Sequence, residues 1–182
     1  MIFSPKKIVV VLALAFILIV FTLYLVGRNG VIVEYYKFTL EPIPNFEAAL
    51  LSNSKVLFKS KEKLGSKWIL VIWSSWLHDT ESNKINWDTL LKASKKYKKY
   101  LYGLNYKDTR EKAISYLATN GDPFTLSVFD ETGQIGNSLE VIGLPTLLLI
   151  KEDGEVSKLF TSIEPEDWEN DILPELLDNN DQ

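Results

Sequence analysis

Residues 68–73, Trp-Ile-Leu-Val-Ile-Trp, are an unbroken apolar run that stops abruptly at Ser74-Ser75-Trp76. A half-exposed strand alternates apolar and polar positions. An apolar run this short, bounded by turn residues, reads instead as a strand covered on both faces. The chain then passes through Leu77, His78, Asp79 and Thr80 into a helical pattern. Ser75, Asp79 or Thr80 could cap that helix, and its first-turn amides would favour the acid at Asp79. A strand covered on both faces requires layers on both sides of its sheet.

Across 81–101, Trp87, Leu90, Leu91, Ser94, Tyr97 and Leu101 fall near helical spacing, and lysines occupy the other positions. The lysine-rich run from Lys92 to Lys99 reads as a solvated helix face. Tyr100 to Leu104 can form the next strand. Asp108-Thr-Arg-Glu111 fits a capping box for a helix whose inner stripe is Ala113, Ile114 and Leu117. Asn120–Gly121 and Asp122–Pro123 end it. Leu126 to Phe129 reads as a strand, and Gln134 to Val141 as a short helix or loop. Thr146 to Ile150 is a second wholly apolar strand after Gly143-Leu-Pro145. Asp153–Gly154 then turns it into Glu155 to Phe160. Pro165 suits the first position of a last helix, with Trp168, Ile172, Leu176 and Leu177 inward and Pro174 kinking or shortening it. Upstream, Phe46, Ala49 and Leu50 suit an edge segment and Val56 to Phe58 its return strand, with Asn53–Ser54 as the turn. Parallel-type strands joined by helices, then a hairpin and a terminal helix, predict a three-layer α/β/α domain.

The 182 residues suffice for one domain with an anchor. Ile8 to Val26 is apolar on every helical face, long enough to cross a bilayer, and flanked by Lys6 and Lys7 before it and Arg28 after it. The expected plan is a cytoplasmic N-terminus at 1–7, a transmembrane signal anchor at 8–26, a linker at 27–41, the folded domain at 42–178 and a tail at 179–182. Net charge is -4, so no nucleic-acid partner is expected. The sequence contains no cysteine and a single histidine, His78. Disulfides, thiolate metal ligands and thiol redox catalysis are therefore excluded for this chain, and neither metal nor cofactor is expected.

Several segments, in order, resemble the membrane-tethered thioredoxin-like proteins of bacterial cytochrome c maturation, the CcmG/DsbE family. They are Val71-Ile-Trp-Ser-Ser-Trp76, Gly103-Leu-Asn-Tyr-Lys-Asp108 with Arg110-Glu-Lys-Ala-Ile114, Gly121-Asp-Pro-Phe124 with Phe129–Asp130, and Gly143-Leu-Pro145. Trp168 to Leu176 is similar to the family's last helix. The resemblance implies a thioredoxin-like fold with a central mixed sheet and a cis-proline loop at Pro145. It implies a bacterial inner-membrane protein whose domain faces the periplasm. Its partners would be apocytochrome c or cytochrome c maturation proteins, and the lipid bilayer through residues 8–26. Family members reduce a disulfide in apocytochrome c or its thiol partners. Here the four Cys-x-x-Cys places are Leu77, His78, Asp79 and Thr80, and Thr146 stands where an acid often follows the proline.

Leucine offers no nucleophile, and a threonine alkoxide is inaccessible near neutral pH, so no catalytic residue is assigned. Ser75, His78 and Asp79 have the residue types of a hydrolytic triad, yet the adjacent His–Asp pair and the lack of an oxyanion arrangement argue against one. An exposed turn histidine is the simpler reading of His78. Trp76, Leu77, Leu144, Pro145 and Thr146 form the candidate binding surface, where an extended peptide could lie. Trp76 could equally be packing over the strand end. Trp73 and Trp87 read as core, and Lys107 and Arg110 as solvated. Two functions follow: a redox-inactive membrane-anchored binding or scaffolding protein of cytochrome c maturation, or a thiol:disulfide interchange protein by family likeness. A tethered peptide-binding module unrelated to cytochromes is the third.

Overall fold

The structure, a computed structural model, describes residues 42–77 and 81–178. The expected anchor, the linker up to residue 41, His78, Asp79, Thr80 and the tail lie outside the described residues. Among the described residues no helix is long and apolar enough to cross a membrane.

The apolar run forms strand β3 (Trp68–Trp73), and all six residues are buried. Its neighbours explain this. It pairs in parallel with β4 (Leu101–Tyr106) and antiparallel with β6 (Thr146–Ile150), at the centre of a five-stranded sheet. β5 (Leu126–Asp130) adds in parallel beyond β4, and β7 (Val156–Phe160) closes a hairpin with β6. The sheet is thus mixed, in the order β5-β4-β3-β6-β7. β1 (Glu47–Ala49) and β2 (Leu57–Lys59) make a separate antiparallel hairpin.

Period-two alternation sorts the two faces. Ile69, Val71 and Trp73 join Leu101, Leu147 and Leu149 on one face. Helices α1 (Glu81–Tyr97), α2 (Arg110–Asn120) and the terminal helix cover that face, through Trp87, Leu90, Ala113, Trp168 and Ile172. On the other face, Trp68 and Tyr102 pack against Phe58 of the hairpin, with ring centroids 6.1 and 5.8 Å away. The short helix α3 (Gln134–Ser138) lies at Tyr106 on that side, and Gly136 is where the ring comes closest. The third layer is therefore a β-hairpin plus one short helix. Each buried aliphatic side chain of β3 contributes about 1.5–3 kcal/mol through area removed from water.

Several local readings change. α1 ends at Tyr97, a 3₁₀ turn (Lys98–Tyr100) follows, and Leu101 starts β4 instead of ending the helix stripe. The cap of α2 is Thr109, whose hydroxyl accepts from the Lys112 amide, because Asp108 is engaged elsewhere. Ile114 is 44% exposed, since Ala113 takes the buried position and Tyr116 and Leu117 are half-buried. Arg110 is not solvated. Its guanidinium donates to the carbonyls of Leu50 and Leu51 and lies 4.4 Å from the centre of the Phe129 ring. In the terminal helix, α4 (Pro165–Asp167) runs into a wider π turn at Trp168–Ile172, then α5 (Leu173–Leu177). The wider turn stands immediately before Pro174, which lacks an amide proton to bond back. Trp168, Ile172 and Leu176 point inward, whereas Leu177 is 46% exposed.

Candidate functional site

At the end of β3 the chain leaves the sheet through Ser74 and a single 3₁₀ turn, Ser75–Leu77. The Leu77 amide donates to the Ser74 carbonyl at 3.4 Å. Ser74 and Ser75 are buried, and Trp76 is 54% exposed. A buried carboxylate fixes this turn. Oδ2 of Asp108 accepts from the Ser75 amide (2.7 Å), the Ser74 hydroxyl (3.1 Å) and the Asn105 side-chain amide (3.1 Å). Oδ1 accepts from the Ser75 hydroxyl (2.9 Å) and the Thr109 amide (2.8 Å). Burial opposes the charge on Asp108, but the donors from Ser75, Asn105 and Thr109 outweigh it and hold the carboxyl below its ordinary value. Asp108 is therefore an ionised anchor and not a general base.

The same loop holds the exposed indole. Trp76 Nε1 donates to the carbonyl of Lys107 at 3.2 Å. Lys107 sits at a φ of 47°, unusual for a side chain with a Cβ, and its amide donates to the Asp130 carbonyl at 3.0 Å. Trp76 is thus presented from a fixed loop rather than packed over the strand end. The Ser75 hydroxyl is turned into Asp108, so it is not poised as a nucleophile.

On the other side of the turn, the Leu144–Pro145 peptide is cis, as the resemblance implied. Pro145 is buried and Leu144 half-buried. Thr146 is only 2% exposed, with its hydroxyl donating to the Gly143 carbonyl at 2.6 Å, so this side chain drops out of the candidate surface. Leu77 and Pro145 are brought to one place. They line one shallow pocket with Asn83, Asn86, Trp87 and Tyr116. Asn83 donates to the Leu77 carbonyl, and Asn86 accepts from the Ile163 amide at 2.6 Å. The Tyr116 phenol is pushed above its ordinary value by burial and then by the charge of Asp88. Ile142, next to the cis-proline loop, is 73% exposed and adds apolar surface.

Of the sequence-named surface residues, the structure places Leu77 and Pro145 on one pocket, with Trp76 exposed and Leu144 half-buried. Sequence reasoning missed the asparagine pair, whose i, i+3 spacing on α1 was the available signal. It missed the anchoring role of Asp108, because Ser74 and Ser75, the turn residues it holds, lie more than thirty residues away and leave no local pattern. His78, Asp79 and Thr80 are outside the described residues. Among the described residues no cluster of acidic or histidine side chains is arranged to hold a metal ion. The arrangement offers an exposed indole held by its loop at Trp76 and a shallow depression lined by Leu77 and Pro145, in a chain without a thiol.

No protein-family model matches the chain. The thiol:disulfide interchange protein DsbE of Tatumella citrea is 31% identical over 136 residues, which span 74% of this chain and 71% of that protein. The protein of the same name in Escherichia coli K12 is 30% identical over 136 residues with the same coverage. Among solved structures, a Chlorobium tepidum protein described as a thiol:disulfide interchange protein DsbE superposes with a TM-score of 0.59 at 26% identity, covering 75% of this chain and 96% of that one. A secreted thiol-disulfide isomerase of Corynebacterium glutamicum gives 0.61 at 17% identity over 74% of this chain and 84% of its own, which speaks to the fold alone.

Proposed function

The chain belongs to the family of the thiol:disulfide interchange protein DsbE, and from that premise we propose that it is a redox-inactive, membrane-anchored binding protein of cytochrome c maturation. One observation carries the proposal. The place that the family likeness assigns to the attacking cysteine is Leu77, in a chain with no cysteine at all, and Leu77 lines a shallow pocket together with the cis-proline Pro145. Disulfide exchange needs a thiolate to attack sulfur, and no side chain here supplies one. The surface survives without the chemistry. Exposed Trp76 and the depression lined by Leu77 and Pro145 support a surface on which an extended apocytochrome segment or a maturation partner could be held.

The apolar run at 8–26 supports a single span with its N-terminus in the cytoplasm and the domain in the periplasm. The family name supports a second reading, a thiol:disulfide interchange protein, which would require chemistry outside the thiol mechanism. The two readings separate in cells. Deleting the gene should lower covalent haem on c-type cytochromes, and the native chain should restore it. A chain carrying Trp76→Ala and Leu77→Ala should not. Normal haem attachment in the deletion strain would remove the assignment to cytochromes. Thiol-dependent insulin reduction by the purified chain above background would sink the redox-inactive reading.

A further inference from the structure

We infer that the lysine-rich end of the domain, Lys92, Lys95, Lys96 and Lys99, is a docking surface for anionic phospholipid headgroups. The inference rests on the anchor at residues 8–26.

The placement of four features carries it. The site lies at the C-terminal end of β3, whereas the described chain begins at the other end of that strand. There Pro42 bridges Glu155, and the Ile43 amide donates to the Gly154 carbonyl at 3.0 Å, at the β6–β7 turn. That turn adjoins Ile150, which pairs with Trp68 at the start of β3. Six strand residues separate the two ends by about 20 Å. α1 starts beside the site, where Asn83 bonds Leu77, and ends where Lys98–Tyr100 leads into Leu101, the partner of Ile69. The lysines at the end of α1 and the point where the linker joins the domain are therefore at the same end, and the site is at the opposite one.

Charge adds to this. Lys92, Lys95 and Lys96 follow i, i+3, i+4 spacing on α1, Lys99 follows in the turn, and all four are exposed. Among the described residues none of the four is in an ion pair. Lys96 and Lys99 lie 5.1 and 4.7 Å from the ring centres of Tyr97 and Tyr100, so the patch interleaves ammonium groups with aromatics, as membrane interfaces favour. Of the acids on the terminal helix, Asp171 and Glu175 pair with Lys158, at 2.7 and 3.9 Å. Asp178 lies beside Lys67, which donates to its backbone carbonyl at 2.7 Å, and exposed Glu169 follows Trp168, which packs on Tyr97. The other acids at this end are Glu62, Asp122, and Glu152, Asp153 and Glu155 of the β6–β7 turn, with Glu155 paired to Lys151. The linker at 27–41 spans at most about 50 Å when fully extended, so a bilayer-held anchor keeps these lysines at high effective concentration near headgroups. With this end on the lipid, Trp76 and Pro145 face away from it, open to a soluble partner.

The test uses the full chain reconstituted in vesicles of phosphatidylcholine, alone or mixed with phosphatidylglycerol. A membrane-impermeant amine reagent labels outward-facing lysines, and mass spectrometry reads each site. Labelling of Lys92, Lys95, Lys96 and Lys99 should fall on the order of fivefold with phosphatidylglycerol at low salt and recover at high salt, with Lys107 beside the site unchanged. In the variant K95E/K96E/K99E, protection of the remaining Lys92 should be lost. Equal labelling in the two lipids, or protection that persists in the variant, would overturn the inference while leaving the anchor standing. Release of the chain from phosphatidylcholine vesicles by alkaline carbonate would overturn the anchor and the inference together.

Discussion

At the scale of single residues, Asp108 decides how the turn after β3 is held. Both of its oxygens accept, and every donor it meets is an amide or a hydroxyl. Asp108→Asn keeps the shape but turns one oxygen into a donor, which faces donors whichever way the amide is placed. The expected loss is about 1–3 kcal/mol by denaturant unfolding. The sign of the pH dependence follows from the direction of the shift. A carboxyl held below its ordinary value contributes its stability above that value, about pH 4, and loses it as pH falls through the folded value. Native stability should therefore drop on acidification below about pH 4 more steeply than that of Asp108→Asn. Equal slopes would mean that the charge of Asp108 is not what fixes the turn.

At the scale of elements, β4 has to approach β3 closely for the site strand to be buried. Gly103 pairs with Val71 and lies where Trp73 crosses from β3. A Cβ at this position would come within 2.8 Å of Trp73 Nε1, within 2.9 Å of Phe124, and well inside contact distance of the Ser127 hydroxyl. Trp73 stacks on Phe124 with centroids 5.8 Å apart and packs on Trp87 of α1 at 5.4 Å, so the ring has little room to yield. Gly103→Ala should cost about 1–3 kcal/mol, seen as a lower denaturant midpoint with an unchanged slope. The loss should extend to binding at Trp76, because Trp73 is the last residue of the strand that leads into the turn presenting it. A neutral outcome would show that Phe124 and Ser127 shift freely.

At the scale of the whole molecule, the family's scaffold persists while its reacting atoms are gone. Restoring both cysteines with L77C/T80C tests whether only those atoms are missing. The double variant should reduce insulin with added thiol well above the native chain's background. In its reduced form it should keep an unfolding free energy within about 1 kcal/mol of native, since Leu77 is only half-buried. A blank assay with the fold intact would mean that the junction has diverged beyond its two missing sulfurs. Lys92 to Lys99 has its meaning at this scale too. As a helix pattern it is a wet face, and it becomes a directed surface only when its end of the sheet coincides with the point where the linker joins.

What the sequence alone determined was whatever depends on near neighbours or on composition. The apolar run 68–73, the turn signals at Asp153–Gly154 and Gly121, and the spacing on α1 placed the elements of a mixed-sheet domain. The absence of cysteine removed thiol chemistry outright. Segment likeness pointed to Leu77 and Pro145, which lie 68 positions apart and line one pocket. Tertiary structure decided the rest, because the groups concerned meet only across the sheet. Asp108 could serve its own helix or the distant Ser74–Ser75 turn. The turn won because its two hydroxyls and an amide would otherwise be buried without an acceptor. Likewise Thr146 stood on the candidate binding surface and Ile114 on the inner stripe of its helix, yet Thr146 is buried in β6 and Ile114 is exposed. Helical and strand periods assign a side chain to a face, but only the neighbouring layer determines whether that face is covered.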